Sequence, residues 1–148
     1  LSAKHTIQGS KVLNAVAVSG TNTYYSGATA DSLGGPAANP IGTAIPYADT
    51  VSAVINFTST PNGTLTVEVS DSSDADVRDG KDLWVTYTPL NSNGFVNGVA
   101  TVTSGAIASG SNPEGVKLKP GFTRLRFKYV NSSGSGTLTI ILSVKGGI

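Results

Sequence analysis

Side chains able to do chemistry are scarce in this sequence, and their spacing decides which reactions it can support. There is one histidine, His5, and there is no cysteine or methionine. A Ser-His-Asp apparatus would have to rest on His5, four places from the first residue, where a general base lacks the neighbours that orient it. Zinc is disfavoured on similar grounds, because its sites draw on sulfur and nitrogen ligands that this composition does not supply. The run from Asp71 to Asp82 sets five carboxylates (Asp71, Asp74, Asp76, Asp79 and Asp82) within twelve residues. Clustered oxygen ligands on a loop suit a hard cation such as calcium, which would use Asp74, Asp76 and Asp79. The spacing departs from the EF-hand pattern, lacks its terminal Glu and holds Arg78 and Lys81 as internal counter-charges, so a polar loop is the plainer expectation. Glu68 alternates outward with Thr64 and Thr66, which leaves no pair of carboxylates opposed across a cleft for glycoside hydrolysis. The expectation is a protein that is not an enzyme and takes no metal or other cofactor.

Two further groups could serve recognition. Arg124, Arg126 and Lys128 form a cationic ladder on one side of a strand, with Lys117 and Lys119 on a similarly alternating segment. Three readings are open for it: a solvated face, a docking face for an acidic partner, or a nucleic-acid contact. The last lacks interleaved aromatics, and ten Lys and Arg against nine Asp and Glu give a net charge of only +1. Trp84 is the sole tryptophan. It fits either a sugar-stacking platform, shared with Tyr24 or Tyr25, or an anchor in a protein interface.

The elements that must position these residues follow from composition and period. A chain of 148 residues and 15.0 kDa is one domain's worth of protein and long enough to bury a core without disulfides. Charged residues make up only 13%, and Ser, Thr, Asn and 18 Gly are spread throughout, which disfavours helix and favours strands and turns. From Phe122 to Tyr129, Leu125, Phe127 and Tyr129 alternate with Arg124, Arg126 and Lys128, giving one dry and one basic face. The segments Val51 to Phe57 and Thr64 to Ser70 flank Pro61-Asn62-Gly63 and read as a β-hairpin. Arg124 to Val130 and Leu138 to Val144 flank a Ser/Gly turn and read as a second one. Gly63-Thr64-Leu65-Thr66-Val67 and Gly136-Thr137-Leu138-Thr139-Ile140 echo each other, so the two hairpins are expected to be equivalent. With strands at Lys11 to Val18, Thr21 to Tyr25, Asp82 to Thr88, Gly94 to Thr103 and Gly115 to Lys119, the sequence predicts a single all-β domain over residues 1–148. Its architecture is a β-sandwich or jelly roll of about eight antiparallel strands. Residues 1–10 are expected to form an N-terminal arm and residues 26–46, with three prolines and no period, a long loop. No apolar run approaches the roughly 20 residues that span a bilayer, and no basic-then-apolar leader precedes Lys4, so a soluble mature chain is the expectation. The start at Leu1 reads as a processed or trimmed end.

Three stretches together resemble the capsid cement, or decoration, proteins of tailed bacteriophages. They are Lys11-Val-Leu-Asn-Ala-Val-Ala-Val18 followed by Tyr24-Tyr25; Thr64-Leu-Thr-Val-Glu-Val-Ser-Asp-Ser-Ser-Asp74; and Thr123-Arg-Leu-Arg-Phe-Lys-Tyr-Val130 with its Ser/Gly turn and Thr-rich last strand. The resemblance implies a viral structural protein on the capsid surface of the virion, binding the major capsid protein as a homo-oligomer, dimer or trimer, and bridging neighbouring subunits. It implies no catalytic residues, and the near-neutral charge sets the expectation of no nucleic-acid partner and no membrane. The long loop from Ser26 to Pro46 departs from the family pattern, where subunit contacts would be made. Lys4, His5, Tyr24, Tyr25, Trp84, Arg124, Arg126 and Lys128 are the candidate partner contacts. The rival from another class is a carbohydrate-binding or adhesin β-sandwich domain, such as a phage fibre tip or surface lectin.

Overall fold

A computed structural model describes residues 4–33, 39–46 and 48–147. In chain order its strands are β1 (Lys4–Val18), β2 (Thr23–Tyr25), β3 (Ala28–Thr29), β4 (Pro40–Ala44), β5 (Ala48–Ser59), β6 (Asn62–Ser70), β7 (Val85–Thr86), β8 (Phe95–Val96), β9 (Val99–Thr103), β10 (Ala106–Ile107), β11 (Glu114–Leu118), β12 (Arg124–Ser133) and β13 (Gly136–Gly147). A 3-10 turn at Ala30–Leu33 and one short helix, α1 (Asp74–Arg78), complete the described elements. Every strand pair is antiparallel. One sheet runs β1-β13-β5-β11; the other runs β10-β9-β6-β12-β4-β3, with β2 beside β12, β7 beside β6 and β8 beside β9. The chain is therefore the all-β sandwich that its alternation predicts, and the strands beyond the expected eight are short additions of two to five residues.

Alternation sets the dry side of each long strand. Val51, Ala53, Ile55 and Phe57 of β5, with Leu138, Ile140 and Leu142 of β13, meet Leu65, Val67 and Val69 of β6 and Leu125, Phe127 and Tyr129 of β12 in one core cluster, all buried. Each such side chain contributes roughly 1.5–3 kcal/mol by leaving water. The Phe57 and Tyr129 rings, one from each sheet, lie 5.1 Å apart at 57°, a tilted contact that joins the layers.

Neither expected hairpin forms. β5 belongs to the four-stranded sheet and β6 to the other; β12 and β13 divide the same way. Each echoing unit is an arch that places one strand in each layer, and the two units pair with each other: β5 with β13, Phe57 opposite Leu138, and β6 with β12, Leu65 opposite Tyr129. The crossings explain this. Ser59 takes φ of 60° before Pro61 and turns the chain out of its sheet. Gly63 and Gly136 then pass so close to neighbouring strands that a Cβ on Gly63 would strike the Val130 carbonyl, and one on Gly136 the Thr58 carbonyl. In the arch the dry faces of β5 and β6 look at each other across the core; in a hairpin they would share one side of one sheet.

Two other expectations are corrected. Residues 4–10 are no free arm: they begin β1, with Lys4 opposite Gly147 and Ser10 opposite Leu142, because β13 runs long enough to satisfy their backbone groups. The pairing slips between Ile7 and Ser10 and again between Leu13 and Val16, near positive φ at Gly9 and Ala15, and such bulges blunt an edge strand against unwanted pairing. Residues 1–3 lie outside the described residues. The segment 26–46 holds β3, the 3-10 turn and β4, with residues 34–38 outside the described residues. β4 lies on β12, Thr43 opposite Leu125, and this approach needs Gly42: its φ is 66°, and a Cβ there would meet the Leu125 carbonyl and Arg126 Cβ.

Candidate functional site

The cationic ladder of β12 points away from the core, as its alternation requires, yet its two arginines are covered. Arg124 and Arg126 are only 6% and 8% exposed. The cover comes from four segments distant in sequence: β2, β4, α1 and the residues that lead into β7. Ile41 of β4 and Val77 of α1 join Ala30 of the 3-10 turn in a satellite apolar cluster, separate from the main core.

Arg126 lies at the centre. Its guanidinium carbon sits 4.1 Å from the centroid of Trp84 and 4.5 Å from that of Tyr25. Its Nε donates to Glu68 Oε1 at 2.8 Å and its Nη1 to the Pro40 carbonyl. Glu68 is directly opposite Arg126 in the β6–β12 register, so the sheet itself aims the carboxylate. A planar guanidinium suits this place better than an ammonium would, since it stacks on rings and donates in its own plane at once. Trp84 is held by a hydrogen bond from its Nε1 to Asp82 Oδ2 at 2.6 Å, and Asp82 Oδ1 accepts from Asn39 Nδ2 at 2.7 Å. Asn39 Nδ2 also reaches the Val77 carbonyl at 3.3 Å, tying the start of β4 to α1.

Arg124 pairs with Asp74 at the start of α1. That helix has a cap with a stated mechanism: Ser73 is extended, and its hydroxyl accepts from the Asp76 amide at 3.1 Å. The acidic run is thus a capped turn of helix with two of its five carboxylates, Asp74 and Asp82, engaged with Arg124 and Trp84. Among the described residues no group of three or more His, Cys, Asp or Glu is placed to hold a metal ion.

Of the sequence-predicted contacts, the structure gathers Tyr25, Trp84, Arg126 and, at its margin, Arg124. Trp84 is neither a free platform nor an outward anchor; it is half-buried against Arg126, and its neighbours Leu83 and Val85 are the exposed ones, at 80% and 54%. Tyr24 packs on the main core, and its hydroxyl accepts from the Ser19 amide at 3.1 Å. Lys128, half-buried, stands in register between Tyr25 and Thr66. Lys4 and His5 are placed by backbone alone, opposite Gly147 and Gly146, away from this cluster's strands. Sequence reasoning missed Glu68, Asp82, Asn39 and Pro40 as partners; the only signal available was that a strand face this basic needs carboxylates if it is to be covered.

The chemistry of the cluster is that of a latch. Every buried side-chain polar atom among the described residues has a hydrogen-bond partner, and the cage that two aromatic rings could offer to a ligand cation is filled by the protein's own arginine. Elsewhere the surface carries shallow depressions. Two of about 400 and 420 Å³ flank β11 and share Ser92 and Lys117.

No family model matches the chain, and no curated protein matches it. Among solved structures, it is similar to the PBSX exported protein XepA, with 16% identity and a TM-score of 0.54 over 99% of this chain and 38% of that one. The shared property is the fold. This chain spans well under half of the XepA length. A further likeness, to the CBM22-1–GH10 modules of xylanase 10B of Clostridium thermocellum complexed with xylohexaose, has 11% identity over 95% of this chain and 29% of that one. Its TM-score of 0.35 is too low to carry an argument.

Proposed function

We propose that this chain is a non-enzymatic, phage-associated structural protein that works by binding an assembled protein shell. On this reading it sits on the capsid surface and stabilises the particle by contacting neighbouring major capsid subunits. The observation that carries it is the division of the surface. One sheet has its charged outer face sealed by the chain's own layer, while the outward residues of the four-stranded sheet, among them Val54, Thr58, Lys117 and Lys145, stay exposed. An open sheet face with an apolar middle is a surface for a protein partner rather than a site for a reaction. The fold likeness to the PBSX exported protein XepA agrees with a sheet-built scaffold of this kind. A ligand that binds only the assembled state stabilises it by mass action, and contact area is all that this requires.

The test mixes purified protein with shells from the matching particle and follows shell melting. Co-sedimentation with an upward shift in melting temperature is expected, and the absence of both overturns the proposal. Glycan-array binding that is lost on Trp84→Ala would put a carbohydrate-binding domain in its place.

A further inference from the structure

The near-neutral net charge conceals a segregation of charge between the two layers. The outer layer on the nine-stranded sheet carries the acidic run 71–82 along with Glu68 and Asp31, interleaved with Arg78, Lys81, Arg124, Arg126 and Lys128. The four-stranded sheet differs. Its strands hold only two carboxylates, Asp49 and Glu114, among the described residues. Glu114 is buried and accepts from the Ser109 hydroxyl, and Asp49 is exposed at the start of β5, where the register with β13 slips. Apart from Asp49, the exposed charges on the strands of that sheet are lysines among the described residues.

Register places those lysines. One cross-strand row runs Lys11, Ile141, Val54 and Gly115 through all four strands. Its middle is apolar, with Val54 44% exposed and Ile141 half-buried, and Gly115 leaves it flat, because nothing stands within 4 Å of where its Cβ would be. The next row is Lys117, Ser52 and Ser143, and the one beyond pairs Lys145 with Thr50. Lys11, Lys117 and Lys145 are all exposed and so frame the apolar centre on three sides, with exposed Lys119 just past the end of β11. An apolar middle inside a charged margin is the anatomy of a protein interface, in which the margin steers approach and fixes register.

We infer that the outward face of the four-stranded sheet, centred on Val54 and Ile141 and framed by Lys11, Lys117 and Lys145, is a docking surface for an acidic protein surface. The inference rests on the function proposed above and names the face and the charge of the partner. Three alternatives fit less well. A symmetric dimer through this face would set lysine against lysine. Head-to-tail stacking of copies would have to use the acidic run, where Asp74 and Asp82 are already engaged and Arg78 and Lys81 intervene. A nucleic acid would leave the Val54–Ile141 centre facing phosphates, without aromatics for its bases.

The test uses poly-L-glutamate on a resin as the acidic surface, with the full chain. The wild type should be retained, with affinity falling at least about tenfold between about 50 and about 500 mM NaCl. The triple variant Lys11→Glu, Lys117→Glu, Lys145→Glu should lose at least about tenfold in affinity with unchanged circular dichroism, while Lys81→Glu on the opposite layer changes retention little. Wild-type protein that is not retained, or a triple variant retained equally well, overturns the inference, as does tighter binding to a DNA duplex. Sedimentation velocity of the protein alone supplies the remaining arm: self-association abolished by the triple variant would reassign the face to a second copy. Matching shells separate the two proposals. If they bind wild type and triple variant alike, the face is wrong and the structural role stands; if they bind neither while poly-L-glutamate retention follows the charges, the role is wrong and the face stands.

Discussion

Trp84 lies flat enough on Arg126 to bring the guanidinium carbon within 4.1 Å of its ring centroid, so the one tryptophan of the chain closes over a side chain from the middle of the sheet. Glu68, 15% exposed at its side chain, neutralises the arginine from below. Removing one member of a covered ion pair leaves the other without compensation, which costs more than removing both.

Arg126→Ala should therefore lower unfolding free energy by about 3 kcal/mol, and Arg126→Met with Glu68→Leu by less than either single change. Urea denaturation followed by circular dichroism measures both. Tryptophan fluorescence of the folded Arg126→Met variant should also change, since Trp84 is the only emitter of its kind. Additive losses in the double variant would show that the pair is not coupled.

Alkaline pH should weaken the fold through Tyr129. Burial pushes its phenol up from 10.0 to about 12, with the nearby Tyr24 adding to the shift, and its hydroxyl donates to Asn131 Oδ1 at 2.8 Å. A folded-state value above the unfolded one means the native state holds the proton more tightly. The stabilisation is complete below pH 10 and is lost as pH rises from about 10 to about 12, by about 2–3 kcal/mol. Tyr129→Phe should be less stable at neutral pH, because Asn131 Oδ1 loses its donor, and should show a shallower fall over the same range. Melting temperatures of the two proteins at stepped pH decide this; parallel curves would exclude the tyrosine.

Gly42→Ala should be destabilising by about 3 kcal/mol or more, since the new methyl must sit at positive φ against the Leu125 carbonyl and Arg126 Cβ. Gly115→Ala, with open space at its Cβ position, should stay within about 0.5 kcal/mol of wild type. Chemical denaturation of the pair separates close approach from any general cost of losing a glycine.

A chelator should leave the melting temperature unchanged. Asp74 is already paired with Arg124, and the described carboxylates form no group of three. A fall of several degrees on adding chelator, restored by calcium, would instead make the Asp74–Asp79 segment a cation site.

What the sequence made legible was facing, strand by strand. Leu125, Phe127 and Tyr129 are buried where alternation puts them, and Arg124 and Arg126 lie on the other side. Alternation does not say what lies beyond a face. The cover over Arg126 comes from Tyr25, Pro40 and Trp84: the segments of Tyr25 and Trp84 read as strands, but alternation could not place them over Arg126, and β4 was hidden by Pro40 and Gly42. The arches escaped for a related reason. Strands β5 and β6 show the same period whether they fold back within one sheet or cross to the next, and only the close approaches at Gly63 and Gly136 distinguish the two.

Those crossings also have a mechanical side. Backbone passes between the layers at Thr60 and Pro61 and again at Gly134 and Ser135, so the sheets are stitched together as well as pressed together. A load gripping one sheet and pulling on the other would be carried along peptide bonds at these two seams and at the connections from β1 to β2, β4 to β5, β10 to β11 and β11 to β12.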